Sequence, residues 1–199
     1  PYKGCYDRTA GQLIDKINQC DGDLGRVLGD PNPEVGAYIR FNPLDGAGVK
    51  DANVTAYKHA LVECDNIDIE KQMALIRELD LPVSTVVHSG GKSLHATVKI
   101  DADTFEEYRE RVNFLYDVCG KNGLSIDRQN RNPSRLSRMP GVMRNGKKQF
   151  LVATNMGKPS WKEWKEWIED INDDLPDIST VEIGDDEPEL ASSIIDGVL

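Results

Sequence analysis

No stretch of this 199-residue sequence reaches the roughly 20 consecutive apolar residues that a membrane-crossing helix needs, so a helical membrane protein is excluded. Cysteine is sparse: Cys5, Cys20, Cys64 and Cys119 are scattered, and no two stand at metal-ligand spacing. That argues against a zinc finger and predicts reduced thiols in a cytoplasmic protein. No signal peptide is visible, and the chain starts at Pro1 rather than Met, as an excised or processed segment would. Bases are nearly missing from one region, where Glu163 to Glu189 holds 12 acids and only Lys165. Outside it the chain is close to neutral, with 22 acids against 23 Lys plus Arg, so the net charge of −10 does not exclude an anionic partner.

What is present describes a globular domain with a tail. Hydrophobic residues make up 39% and charged residues 29% of the chain, enough for one substantial core. The expected division is a domain over 1–170 followed by an acidic, weakly structured linker or tail over 171–199. Arg128 to Lys148 concentrates seven bases (Arg128, Arg131, Arg135, Arg138, Arg144, Lys147 and Lys148) and no acid. The Arg bias suits bidentate phosphate contacts better than it suits a merely solvated loop.

The stretch Val62-Glu63-Cys64-Asp65 organises the rest. Tyr57 to Val62 reads as a strand, and alternation puts Glu63 and Asp65 on one face. Two adjacent carboxylates repel each other, so they either face water at a strand end or meet a counter-charge, for which a hard divalent cation is suited. Before them, Thr9 is placed to cap a helix with Leu13, Ile14 and Ile17 as an apolar stripe toward the core. Gly36 to Phe41 reads as a strand carrying Arg40, either a surface residue or a phosphate ligand, and Asn42-Pro43 closes it.

After the acids, a helix from Ile69 to about Leu79 precedes a strand Val83 to Val87. The turn His88-Ser89-Gly90-Gly91-Lys92-Ser93 then opens a strand Leu94 to Ile100. Gly91-Lys92-Ser93 is not a P-loop: Val86 stands where the first glycine belongs, and a strand follows instead of a helix. Its glycines, Lys92 and Ser93 still suit an anion. His95 shares a face with Ser93 and is either a core histidine or part of that site. Phe105, Tyr108, Val112, Leu115 and Val118 recur at helical spacing, capped by Asp103 or Thr104. Leu124 to Asp127 is expected as a short strand and Gln149 to Ala153 as the last one. Trp161, Trp164 and Trp167 read as a helix docked on the domain after Ser160, with base stacking as the less favoured role. The β-α-β-β-α-β order predicts an α+β fold with a ferredoxin-like or RRM-like sheet, packed helices and an N-terminal αβ extension.

Asp127 adds a third acid at a strand end. Three carboxylates drawn from two strands make a site for one or two Mg²⁺ or Mn²⁺ ions, and the basic loop beside them suits a nucleoside triphosphate. A metal-dependent nuclease or replication initiator uses similar acids, but the usual two-histidine metal motif is missing. A non-catalytic single-strand-binding module on the same sheet is a further alternative.

Glu63 with Asp65, Ser93 with His95, and Asp127 resemble, in this order, the three motifs of the archaeo-eukaryotic primase superfamily. The resemblance is strongest to the primase-polymerase domains of plasmid, phage and integrated-element replication proteins. The run Arg135-Leu136-Ser137-Arg138-Met139-Pro140-Gly141 looks like the Arg-containing segment ending in Pro-Gly that follows the third motif, and the likeness spans roughly Gly36 to Asn155. The first position is Glu where many relatives have Asp. The resemblance implies nucleotidyl transfer from NTPs or dNTPs on a single-stranded DNA template and primer, with a helicase module as a possible neighbour. Glu63, Asp65 and Asp127 would hold the metals and carry catalysis. Lys92, Ser93 and His95, with Arg138 and Arg40, would bind the nucleotide. Arg131, Arg135, Arg144 and Lys147 would contact nucleic acid.

Overall fold

The computed structural model describes residues 8–171. Cys5 and the expected tail beyond Ile171 lie outside the described residues. Two helices, α1 (Ala10–Asn18) and α2 (Gly25–Leu28), lead to a short strand β1 (Tyr38–Arg40). Next come β2 (Tyr57–Glu63), α3 (Ile69–Glu78), β3 (Val83–His88), β4 (Leu94–Ala102) and α4 (Phe105–Lys121). The described residues end with β5 (Leu136–Arg138), β6 (Met143–Arg144), β7 (Lys147–Lys148), β8 (Phe150–Met156) and α5 (Trp161–Ile171). Three-residue and four-residue 3-10 turns stand at Asp51–Asn53 and Arg128–Arg131.

The main sheet runs β2-β4-β3-β8, all antiparallel, and β1 pairs with β5 in a separate two-stranded ribbon. The class is α+β, as expected. One face of the sheet carries Ala60, Val62, Val86, Ala96, Val98 and Ile100, all nearly inaccessible, because β-branched and small apolar residues alternate to that side. Met73 and Ile76 of α3 and Tyr108, Val112 and Leu115 of α4 close over it at helical spacing. Thr104, not Asp103, caps α4, its hydroxyl accepting from the Glu107 amide. Tyr116 donates its hydroxyl to the Leu61 carbonyl at 2.6 Å, tying α4 to β2. The tryptophan helix docks as its spacing predicts: Trp161 and Trp164 are buried, and the Trp164 indole donates to the Leu79 carbonyl at 2.8 Å.

Three expectations differ from what forms. The segment Leu124–Asp127 is not a strand, although Leu124 and Ile126 still point into the core. The Asn42 amide occupies part of the β2 edge where a fourth strand would pair, accepting from the Lys58 and His59 amides and donating to the His59 carbonyl. The final strand is Phe150–Met156 and adds beside β3 at the opposite edge. Helix α1 has the capping box that Thr9 suggests, with Gln12 reciprocating, but it buries nothing. Ile14 and Ile17 are exposed among the described residues.

Candidate active site

The other face of the sheet carries Leu61 and Glu63 on β2 opposite Thr97 and His95 on β4. Over its end lies the β1–β5 ribbon, whose register pairs Tyr38 with Arg138 and Arg40 with Leu136. Sheet end, ribbon and the 130–135 loop enclose an open cleft of about 500 Å³. Glu63 and His95 form part of its lining, with Arg40, Arg135 and Arg138 on the cationic side. Tyr38, Leu136, Asn130, Asn132 and Ser134 complete it.

Glu63 is the hub. Its Oε1 stands 3.0 Å from His95 Nε2 and accepts from the Ser93 hydroxyl at 3.2 Å, while its Oε2 accepts from Asn130 Nδ2 at 3.3 Å. Burial pushes the carboxyl up, but the His95 contact and the hydrogen bonds from Ser93 and Asn130 outweigh it, so Glu63 titrates below the usual glutamate range. The other side of the imidazole is fixed by the ribbon. His95 Nδ1 accepts from the Arg138 amide at 3.3 Å, with the Ser137 hydroxyl 3.4 Å away. A backbone N–H can only donate, so the neutral ring carries its proton on Nε2 and gives it to Glu63. His95 is buried, yet it lines the cleft rather than turning into the core.

Arg138 is held twice more. Its guanidinium donates to the Val35 carbonyl at 2.8 Å and lies 4.0 Å over the Tyr38 ring. Burial lowers its pKa from the usual arginine value, as it does for Arg40, where Asp51 works in the opposite direction. Three buried amides hold the surrounding loops. Gln72 of α3 donates to the Lys92 carbonyl and accepts from the Leu94 amide, clamping the glycine-rich turn. Asn42 also donates to the Pro133 carbonyl. Gln149 donates to the Ala37 and Met139 carbonyls, and its Oε1 sits so close to Gly36 that a Cβ there would come within 1.9 Å. Gly36 also has φ +77°, so no other residue fits.

The predicted site residues therefore separate into groups. Glu63, His95, Arg40, Arg135 and Arg138 meet at the cleft, while Ser93 is buried outside its lining, its hydroxyl spent on Glu63 and Ser89. Lys92 is exposed and does not line it. Arg144 half-buries against the turn, donating to the Ser89 carbonyl at 3.2 Å, and Lys147 is exposed on β7. Arg131 is bound to Asn113 and to the Arg128 carbonyl, away from the cleft. Asp65 lies past the end of β2 and is exposed; Asp127 is exposed too, its Oδ1 capping the Arg128–Arg131 turn through the Gln129 amide.

Mg²⁺ or Mn²⁺ needs ionised oxygen donors, which Glu63 and the exposed Asp65 and Asp127 provide, so the donor chemistry fits a hard cation. The expected three-acid convergence is not assembled: among the described residues no three of His, Cys, Asp and Glu stand together as a metal set. Glu63 turns both oxygens toward His95, Ser93 and Asn130. Asn130, Tyr38, Ser137 and Gln149 escaped the sequence reading. Period-2 alternation would have placed Tyr38 on the Arg40 face; the buried amides leave no such mark.

Among solved structures, the chain is similar to the archaeo-eukaryotic primase (AEP) domain of the cyanophage S-2L primase-polymerase, PrimPol. The TM-score is 0.50 at 21% identity, covering 80% of this chain and 76% of that one. The chain has the fold of an archaeo-eukaryotic primase domain. No protein-family model and no curated protein matches it. On that fold, Glu63 and His95 face each other across neighbouring strands at register Glu63↔His95, where the motif resemblance places the first and second motifs. Among the described residues no helix is long and apolar enough to cross a membrane.

Proposed function

We propose that this domain is a nucleotidyl transferase of the primase-polymerase type, joining NTPs or dNTPs on a single-stranded DNA template during replication of a mobile element. The observation that carries the reading is the cleft itself, where an ionised Glu63 held by His95 faces Arg40, Arg135 and Arg138. Three guanidiniums around one carboxylate favour a polyanion that brings its own cations, which is the chemistry of a nucleoside triphosphate. Arg138 and Arg40 would hold phosphates, and the fixed Arg138–Tyr38 stack would keep the first of these from wandering. The half-buried Arg144 and the exposed Lys147 would track the template backbone. Glu63, Asp65 and Asp127 would hold Mg²⁺ or Mn²⁺, which would neutralise charge on the triphosphate when bound.

A second reading rests on one observation: Asp65 and Asp127 stand outside the cleft lining. On that reading the domain binds single-stranded DNA or nucleotides without turnover. Incubating the protein with labelled NTPs or dNTPs, Mg²⁺ or Mn²⁺, and primed or unprimed single-stranded DNA separates the two. The proposal expects template-dependent, metal-dependent strand growth. Strand cutting, or retention of the DNA with no growth under any combination, overturns it.

A further inference from the structure

Glu63 and Arg135 both line the cleft, yet they do not pair directly. Between them stands Asn130, a residue only 2% exposed at the 3-10 turn Arg128–Arg131. Its Nδ2 donates to Glu63 Oε2 at 3.3 Å, and its Oδ1 accepts from Arg135 Nε at 2.5 Å. The amide is polarised to match its neighbours, donor toward the anion and acceptor toward the cation. An aspartate would reverse one contact and a lysine the other, so Asn or a close isostere is the side chain that satisfies both. By taking the Nε–H of Arg135, Asn130 also leaves the terminal nitrogens of that guanidinium without a hydrogen-bond partner among the described residues. Those nitrogens are the edge that grips a phosphate in bidentate fashion.

We propose that Asn130 is a positioning residue acting as a neutral spacer: it stops Arg135 from collapsing onto Glu63 and so keeps that guanidinium free for the triphosphate. This role rests on the proposed triphosphate chemistry of the cleft. Without the amide, the two charges close the gap between them, because a half-buried ion pair is favoured over two unpaired charges. The cleft then loses a phosphate-binding cation and gains a quenched acid, with no change in the number of charged residues. The expected signature is a loss of triphosphate affinity that depends on Arg135 being present.

The test is a double-mutant cycle on the full chain, titrating inorganic triphosphate by calorimetry into wild type, Asn130→Ala, Arg135→Ala and the double variant, with primer synthesis by wild type measured alongside. Asn130→Ala should weaken triphosphate binding about 10-fold, as a lost charge-assisted contact does, and Arg135→Ala by at least as much. The double variant should be no weaker than Arg135→Ala alone. If the two losses multiply in the double variant, Asn130 acts through the fold and the spacer role is wrong. Equal binding by wild type and Asn130→Ala also overturns it. If Asn130→Ala does not fold, Asn130→Ser takes its place in the cycle, being polar but too short to span both partners. Wild type that makes primers while Asn130→Ala binds normally refutes the spacer alone; wild type that neither binds triphosphate nor makes primers refutes the functional reading beneath it.

Discussion

The two faces of one sheet are built by different rules. The helix-backed face is made of like atoms from residues that recur with regular spacing: Ala60 and Val62, Ala96 and Val98, then Met73, Ile76, Tyr108, Val112 and Leu115 from the helices above. Any of these contacts can be remade by another hydrocarbon of similar volume. The cleft face is made of unlike atoms from distant segments, with Tyr38, Glu63, His95, Asn130 and Arg138 each facing a partner of opposite polarity. There a substitution of similar size strands a donor or an acceptor. One face is held by amount and the other by identity, which is why the first can carry the second.

That contrast can be broken at several points. Trp164 is fully buried and also donates to Leu79, so Trp164→Ala should cost about 3–5 kcal/mol in urea unfolding. A loss under about 1 kcal/mol would mean that α5 does not complete the core. On the cleft side, Asp65→Ala and Asp127→Ala should each reduce nucleotide incorporation by roughly 100-fold or more. Asp65 is exposed, so its change should alter the unfolding free energy by less than about 0.5 kcal/mol, whereas Asp127→Ala also removes the cap of the Arg128–Arg131 turn and should cost about 0.5–2 kcal/mol. Incorporation that survives both changes would show that these two acids do not carry the catalysis. Glu63→Ala differs from them in kind: it strands His95, Ser93 and Asn130 and should destabilise by about 1–3 kcal/mol as well as silence the cleft.

Smaller effects sharpen the picture. Burial holds His59 below the usual histidine pKa, despite opposition from Asp101 and a hydrogen bond to Phe41. The unfolded chain therefore takes up this proton first as pH falls through about 6.5. Stability from this group is complete above that value and declines below it, and His59→Gln should flatten the decline between pH 7.5 and 5.5 in denaturant titrations. A slope unchanged by the substitution would assign it to other groups. The smallest expected signal is none: the Cys119 thiol is buried and pushed up to about 12, so iodoacetamide should leave it unlabelled until the chain unfolds.

The same division explains what the sequence could disclose. Helices α3, α4 and α5 and strands β2 to β4 were legible because a hydrophobic period repeats within each, whatever lies elsewhere. Glu63, Ser93 and His95 were legible as a group because adjacent antiparallel strands bring short motifs together. The exposure of α1 was not, since amphipathic spacing says that a face is apolar and not what covers it. Nor was the missing strand at Leu124–Asp127, whose pairing edge is taken partly by the Asn42 side chain. Asn130 and Gln149 are single amides whose importance lies wholly in partners far along the chain, and nothing local marks such residues.

On the proposed function, a nucleoside triphosphate sits in the cleft between the sheet end and the β1–β5 ribbon. Photo-crosslinking with an azido-dATP, followed by peptide mapping, addresses it most directly. Saturable labelling of peptides containing Tyr38–Arg40 and Arg128–Arg138, competed away by unlabelled dATP, is expected. Saturable labelling confined to other surfaces, with those two peptides left clean, would contradict it.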